Sequence, residues 1–217
     1  MSPLDPGEIS LYSREETVPA EYWEELRLRD PQELCQRALV SYHSEQGYRI
    51  PFLNLTFFCH PEQAKIRLQE DPERSPSFQS CLVILMYLLK AQPVPVSGRK
   101  ISEKEIPGGQ LFFQGPHALF KKPLENQFGQ DPAAFLKAGL FWGGQSTGQG
   151  DASFKLLALP RIPLEYILYA RDEEFSAQLV ITFDSTVQLH LPLDAIWALV
   201  NLIGRRLLRT ELGVSIS

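Results

Sequence analysis

The spacing of apolar side chains predicts a chain in which helices flank short runs of strands. From residue 75 to about residue 91 the side chains are apolar nearly all round a helical wheel, which is typical of a helix buried on every side. A last helix is predicted from Pro192 onward, with Asp194 in its first turn, where an acid favours the helix dipole. Further helices are predicted at residues 21–28, from Asp30-Pro31 onward, at residues 116–128 and at residues 131–142.

Runs of apolar residues, some alternating with polar ones, predict strands in two groups. The first group is a hairpin that turns near Asn54, and the second is a meander close to the C-terminus. The alternation Val-Gln-Leu-His-Leu predicts one more strand, half exposed, after the meander. The predicted strands are residues 48–53, 55–59, 154–159, 164–170, 178–183 and 187–191.

The order of these elements predicts an α+β fold, because the chain shows no regular alternation of strand and helix. We expect an antiparallel sheet, built from the N-terminal hairpin and the C-terminal meander, packed against the buried central helix and the C-terminal helix. A length of 217 residues suits one large domain. Residues 21–217 are therefore predicted to form a single α+β domain, and residues 1–20, with three prolines, a flexible N-terminal arm.

Charge and composition exclude some classes of function. The net charge is −5, and residues 8–33 alone hold eight acids against three bases, so the remaining residues are close to neutral. Nucleic-acid binding needs clusters of Lys and Arg that displace counterions, so we expect no nucleic-acid partner. The longest apolar run, residues 81–89, is far shorter than the roughly 20 residues of a membrane-spanning helix, and we expect no membrane contact.

The cysteines and the N-terminus suggest a compartment. The three cysteines are far apart, show no C-x-x-C spacing and are odd in number, which favours a reducing environment. The first residues lack a basic stretch followed by an apolar one, so no export signal is expected. We therefore expect a cytoplasmic protein, and the sequence leaves its oligomeric state open.

The run at residues 107–117, Pro-Gly-Gly-Gln-Leu-Phe-Phe-Gln-Gly-Pro-His, is the first candidate binding site. Glycines let a backbone approach a ligand closely, two phenylalanines offer a flat apolar wall, and a histidine binds metals or donates to anions. The alternative is that the glycines form a turn, the phenylalanines belong to the core and the histidine makes a local hydrogen bond. The candidate residues are Gly108, Gly109, Phe112, Phe113 and His117.

The glycine-rich loop at residues 143–151 is the second candidate. A phosphate-binding P-loop requires a Gly-Lys-Ser/Thr sequence that leads into a helix, but this loop has no lysine and a strand follows it. Asp151 also adds a negative charge, which disfavours nucleotide binding. The remaining hypotheses are a mobile lid, a polar ligand contact that includes Gly144 and Asp151, and an ordinary loop.

A set of acids near the C-terminal strands is the third candidate, as a metal site. Hard cations prefer several converging carboxylates, and a histidine shifts the preference toward a transition metal. The candidate ligands are Asp172, Glu174, Asp184 and His190. The alternative is that these acids occupy turns, where Asp and Glu are common for local reasons. Nucleophilic catalysis has weaker support, since no G-x-S-x-G motif occurs.

Several motifs together resemble an uncharacterised domain family known mainly from anaerobic bacteria and archaea. They are residues 88–91 followed by Ser97-Gly98, residues 107–119, Gly143-Gly144 with residues 150–154, residues 159–163, residues 172–175, and Phe183-Asp184 followed by His190-Leu191-Pro192. The resemblance covers most of residues 30–210. It implies a setting in anaerobic metabolism and no established activity. Some relatives carry an added iron–sulfur domain, but this chain lacks the cysteine spacing of such a cluster.

Three hypotheses follow for function. The first is a non-enzymatic cytoplasmic accessory domain of anaerobic metabolism that binds a partner protein or a flat cofactor. Its site would be a cleft formed by residues 108–117, 143–151 and 172–174. The second is a metal-assisted enzyme that uses the four candidate ligands or acid/base groups named above. The third is a structural subunit without a ligand. The identity of any cofactor stays open.

Overall fold

The structure is a computed structural model, and it describes residues 18–73 and 75–211. Most of the predicted N-terminal arm therefore lies outside the described residues. The helices are α1 Ala20–Arg27, α2 Pro31–Ala38, α3 Phe78–Lys90, α4 Gly109–Phe112, α5 Lys122–Phe128, α6 Pro132–Phe141 and α7 Leu193–Glu211. The strands are β1 Ser41–His43, β2 Gly47–Phe52, β3 Leu55–His60, β4 Lys65–Leu68, β5 Lys100–Ser102, β6 Gln145–Ser146, β7 Ala152–Leu159, β8 Ile162–Tyr169 and β9 Gln178–Asp184.

The predicted hairpin is confirmed as β2 and β3, the centre of an antiparallel sheet ordered β1-β2-β3-β4. Side chains alternate strictly along β3: Leu55, Phe57 and Cys59 are buried, and the residues between them are half-buried. One face of this sheet therefore packs on the core and the other meets solvent. The short strands β1 and β4 add a third and a fourth strand, which the sequence did not predict.

The predicted meander is confirmed as β7, β8 and β9, the centre of a second antiparallel sheet ordered β5-β9-β8-β7-β6. Hairpin and meander thus form two sheets rather than one. The sheets are joined where the Leu53 amide donates to the Ala158 carbonyl on β7. Nearby, the Asn54 side chain donates to the Phe141 carbonyl at the end of α6.

The helices α3 and α7 pack against each other in the core, and the α+β class is confirmed. Residues 82–89 of α3 are all buried, as the apolar wheel predicted. The start of α3 lies beside the end of α7, where Arg205 on α7 contacts Gln79 on α3. No helix in the described ranges is both long and apolar enough to span a bilayer.

Two predicted elements are wrong in type or extent. Residues 187–191 are not a strand, because residues 187–189 form a 3₁₀ helix in which the Leu189 and His190 amides donate to carbonyls three residues back. This turn buries Val187 and His190 and leaves Leu189 exposed, so the burial does not follow the predicted alternation. Residues 116–128 are not one helix: a 3₁₀ helix at Gly115–His117 precedes α5. A continuous helix would need an amide at Pro123, which proline lacks.

The contact between α6 and β7 leaves no room for a side chain at Gly139. A Cβ there would overlap the ring of Phe154, and that ring is itself held between Phe135 and Tyr166. We expect Gly139→Ala to lower the free energy of unfolding by about 2 kcal/mol in urea titrations, because the core is overpacked. A glycine-to-alanine change inside a helix ordinarily stabilises it by up to about 1 kcal/mol. A stabilised variant would contradict the tight packing.

Candidate functional site

The segment at residues 107–117 begins with two glycines, and the structure requires glycine at each position for a different reason. Gly108 precedes α4 with φ at 77°, a left-handed conformation that favours glycine. Gly109 is buried, and a Cβ there would overlap the Glu103 carbonyl oxygen. The Gln188 side chain donates to the Pro107 carbonyl at 3.0 Å, which ties the segment to the 3₁₀ helix before α7. The segment is therefore fixed at its start.

Aromatic rings stack directly after these glycines. The rings of Phe112 and His117 are stacked, with centroids 4.6 Å apart and planes inclined by 24°. Trp197 on α7 meets His117 edge to face at 5.6 Å and donates its indole hydrogen to the Ala118 carbonyl. Leu111, which precedes Phe112, is 84% exposed. We call Leu111, Phe112, His117 and Trp197 the aromatic shelf.

Of the aromatic candidate residues in this segment, one is buried beneath the shelf and two reach the surface. Phe113 is buried and packs edge to face on Phe112 at 5.2 Å, so it supports the shelf from the core. Phe112 and His117 are half-buried and reach the surface. Trp197 was not among the candidate residues of the sequence analysis. No local signal links it to His117, which lies 80 positions earlier in the chain.

The glycine-rich loop begins as the edge strand β6 of the five-stranded sheet and then folds over the outer face of that sheet, where Gln149 bonds to Glu165. Gly144 packs closely against Gly139 and Leu156. The Ser153 hydroxyl accepts from the Gln149 amide at 2.6 Å, and the Asp151 carboxylate accepts from the Ala170 amide at 2.7 Å. The predicted contact residue Asp151 thus bonds to the backbone at the end of β8.

A buried carboxylate, Glu165 in the middle of β8, was missed by the sequence analysis. It is only 3% exposed and forms an ion pair with Lys100 at 2.6 Å. It also accepts from Gln149 of the glycine-rich loop and from Thr182 on β9. Burial by itself would raise the pKa of Glu165, but the hydrogen bonds and the charge of Lys100 hold it below its usual range. A lone acid in an apolar strand was the signal available.

Asp184 is at the end of β9, and its carboxylate holds the start of β5 in place. It accepts from the Ser97 amide and hydroxyl and from the Gly98 amide, and also from Thr186. Burial alone would raise the pKa of Asp184, but these donors lower it to about 2. We call residues 92–98, which lead from α3 to β5, the connector.

His190 holds the other end of the connector. Its side chain is fully buried, and its Nδ1 accepts from the Gln92 amide at 3.4 Å. Nδ1 therefore carries no proton in the neutral ring, and the proton lies on Nε2. Burial and the nearby charge of Arg161 lower the pKa of His190 to about 4, and the negative charge of Asp184 opposes this shift only in part.

Arg161, in the turn between β7 and β8, fastens the middle of the connector and was also missed as a key residue. Its buried guanidinium donates to three carbonyls, those of Gln36 and Arg37 at the end of α2 and that of Val94. A cation is favoured at a helix C-terminus, where the carbonyls lack partners within the helix. Three motif residues, Asp184, His190 and Arg161, therefore hold one connector.

The four candidate metal ligands do not lie together. Asp172 caps its own turn by accepting from the Glu174 and Phe175 amides, just before β9 begins. Asp184 lies at the other end of β9, and seven residues at about 3.3 Å each separate the two ends by roughly 20 Å. Within residues 18–73 and 75–211, no three His, Cys, Asp or Glu side chains are placed to hold a metal ion.

The three segments of the predicted cleft are only partly brought together. Asp151 of the glycine-rich loop bonds to Ala170, next to the turn at residues 172–174. Across the described part of the chain, no hydrogen bond, ion pair or ring contact joins residues 107–117 to either of these loops. The aromatic shelf is therefore separate from the other two segments of the predicted cleft.

Comparison with known proteins gives a family. The model of a domain of unknown function, DUF3786, matches residues 30–206, which is most of the chain. The chain belongs to DUF3786. Neither the curated proteins nor the solved structures provide a match. The DUF3786 match includes the aromatic shelf, the glycine-rich loop, the connector and the residues that hold it, so these features lie within the domain.

Proposed function

We propose that this DUF3786 chain is a non-enzymatic cytoplasmic accessory domain of anaerobic metabolism, and that it binds a partner protein through the aromatic shelf. One observation carries the proposal: Leu111 is 84% exposed beside the half-buried stack of Phe112 and His117. Aromatic side chains are enriched at protein interfaces, and the exposed leucine extends the apolar surface that the rings offer to a partner. The setting in anaerobic metabolism rests on the family resemblance.

The rigidity of the shelf supports this proposal. Gly109 packs on Glu103, Gln188 bonds to Pro107, and the Trp197 indole bonds to Ala118. A surface fixed before binding loses little conformational entropy when a partner arrives, so more of the contact energy appears as affinity.

The chemistry of His117 also suits a binding surface. Its imidazole makes ring contacts but no hydrogen bond with any part of the chain that the structure describes. An imidazole at the rim of an apolar surface can donate to or accept from a partner, which adds specificity to apolar contact. By contrast, the acids Asp151, Asp172 and Asp184 each bond to backbone amides of the chain itself, which supports a non-enzymatic role.

Site-specific photocrosslinking tests the partner proposal. A benzophenone amino acid replaces Leu111 in one variant and Leu189, on the 3₁₀ helix tied to Pro107, in a second; both residues are exposed. We expect both variants to capture the same protein in cells of the source organism. Adding Phe112→Ala or His117→Ala to the Leu111 variant should reduce its capture about tenfold, because each change removes one face of the stack.

The matched control places the same benzophenone at Leu28, the residue directly after α1, which is 87% exposed. The captured protein should be missing from this control. Equal capture at Leu28 and Leu111, or capture that does not respond to Phe112→Ala, would rule out the shelf as the binding surface.

The stacked rings favour a flat cofactor as a second candidate ligand, because Phe112 and His117 lie nearly parallel and a planar ring system can stack in the same direction. After anaerobic purification, an absorption spectrum and elemental analysis test for a bound chromophore or metal. Flavin mononucleotide serves as a probe through its own fluorescence, which stacking on aromatic rings quenches, because the protein fluorescence comes from Trp23, Trp142 and Trp197 together. We expect the protein to quench flavin fluorescence and His117→Ala to weaken this quenching; a colourless, metal-free protein that does not quench flavin fluorescence would exclude this second candidate.

A further inference from the structure

The solvent face of the four-stranded sheet carries a row of basic and aromatic side chains. The strand register pairs Arg49 on β2 with Phe58 on β3, and Phe58 with Arg67 on β4. The three side chains therefore lie next to one another across the sheet. Both arginines are exposed and Phe58 is half-buried between them. We call Arg49, Phe58 and Arg67 the basic row.

The next row on the same face adds to its positive charge. His60 pairs with Lys65, and Lys65 is exposed. Among the described residues, neither arginine of the basic row nor Lys65 forms an ion pair, and the only side-chain bond of Arg49 is a long one to Thr56. These cations therefore face solvent without a counter-charge.

This arrangement differs from the outer face of the five-stranded sheet. There, Lys100 lies over Glu165, and the pair neutralises itself. In the four-stranded sheet, no strand residue is Asp or Glu; the nearest acids along the chain include Glu45 and Glu62, which lie in turns at one end of the sheet. A solvated sheet face commonly mixes charges of both signs, so a face of one sign with an apolar centre indicates a complementary anionic partner.

We propose that the basic row binds an acidic amphipathic helix of a partner protein. Strands lie about 4.8 Å apart, so the Cα atoms of Arg49 and Arg67 are roughly 9.6 Å apart across β3. Two residues seven positions apart on a helix are separated by about 10.5 Å along its axis and share a face. A helix laid across the strands thus presents a carboxylate to each arginine and an apolar residue from the turn between them to Phe58.

The chemistry of each contact fits this occupant. Arginine binds a carboxylate through two parallel hydrogen bonds, which gives direction as well as attraction. Phe58 supplies the apolar contact that a helix needs at the middle of its buried face. A single-stranded nucleic acid would also meet bases and an aromatic ring, but three cations on a chain of net charge −5 release few counterions.

The basic row is independent of the aromatic shelf. It belongs to β2, β3 and β4, whereas the shelf lies on α4, the following 3₁₀ helix and α7. Each surface can therefore fail its own test without affecting the other.

Fluorescence anisotropy with a designed peptide tests the proposal. The probe is a labelled helical peptide of about 18 residues with two glutamates seven positions apart and leucines three and four positions after the first. The comparison peptide has the same composition with one glutamate moved to the opposite face. We expect the probe to bind the full chain at least tenfold more tightly than the comparison peptide, and high salt to weaken it.

Variants of the basic row locate the site. Arg49→Gln, Arg67→Gln and Phe58→Ser should each weaken the probe about tenfold, because each removes one of the three contacts. Arg99→Gln, which removes an exposed cation outside the row, should leave the affinity unchanged. Unchanged thermal midpoints show that the variants fold.

Three results would overturn the proposal. They are equal affinity for the two peptides, binding that ignores the basic-row variants, and tighter binding of a poly-dT oligonucleotide that responds to those same variants. The last result would identify the row as a nucleic-acid surface instead.

Discussion

Arg161→Met is expected to lower the free energy of unfolding by about 4 kcal/mol, a large share of the stability of a typical domain. The change removes three hydrogen bonds from a charged donor to the carbonyls of Gln36, Arg37 and Val94. Those carbonyls then lack this donor at a buried position, where an unmade hydrogen bond costs the most free energy. The end of α2 and the connector should loosen together.

Urea unfolding followed by circular dichroism measures this effect. Arg171→Met is the matched control, because Arg171 is exposed and only its backbone amide makes a hydrogen bond in the described structure. We expect the control to stay within about 0.5 kcal/mol of the parent. A loss at Arg161 no larger than this would show that the connector is held by other contacts.

Stability is also expected to fall by about 3 kcal/mol as the pH drops from 6.5 to 4, because of His190. Its pKa is about 4 in the folded protein and 6.5 when exposed. The unfolded chain therefore binds a proton in this interval that the folded chain does not, and unfolding becomes easier as the pH falls. Protonation of Nδ1 would also break its bond to the Gln92 amide.

The comparison of the parent with His190→Gln isolates this contribution, because glutamine keeps an acceptor and does not titrate. The difference between their unfolding free energies should change by about 3 kcal/mol across the interval. Asp184 acts in a lower window: its pKa is about 2 instead of 3.8, so its contribution is complete above 3.8 and is lost below. Parallel curves for the two proteins would contradict the role of His190.

The main elements of the fold were predictable because their patterns are long and regular. The hairpin β2–β3, the meander and the buried helix α3 were each identified within a few residues. The short strands β1, β4, β5 and β6 were missed, since two to four residues carry no detectable period. The segment at residues 187–191 was misjudged because five alternating residues are too few to separate a strand from a 3₁₀ turn, which has three residues per turn and here buries Val187 and His190.

The roles of single polar residues were much less predictable than the elements. Asp184 and His190 were interpreted as candidate metal ligands, yet in the folded chain their side chains accept hydrogen bonds from the connector. Arg161 and Glu165 have partners up to 125 positions away, such as Gln36 for Arg161. No spacing rule relates such distant positions, because their contact arises only when two layers of the fold close on each other.

The sequence by itself determined the α+β class, the buried helices and the segment at residues 107–117 as a candidate surface, because local periodicity and glycine placement act within a few residues. Tertiary structure alone decided which side chains meet. It placed Trp197 in contact with His117 and separated Asp172 from Asp184 by the length of β9. It also aligned Arg49, Phe58 and Arg67 across three strands. These outcomes depend on strand register and helix packing, which are properties of the closed core rather than of any segment.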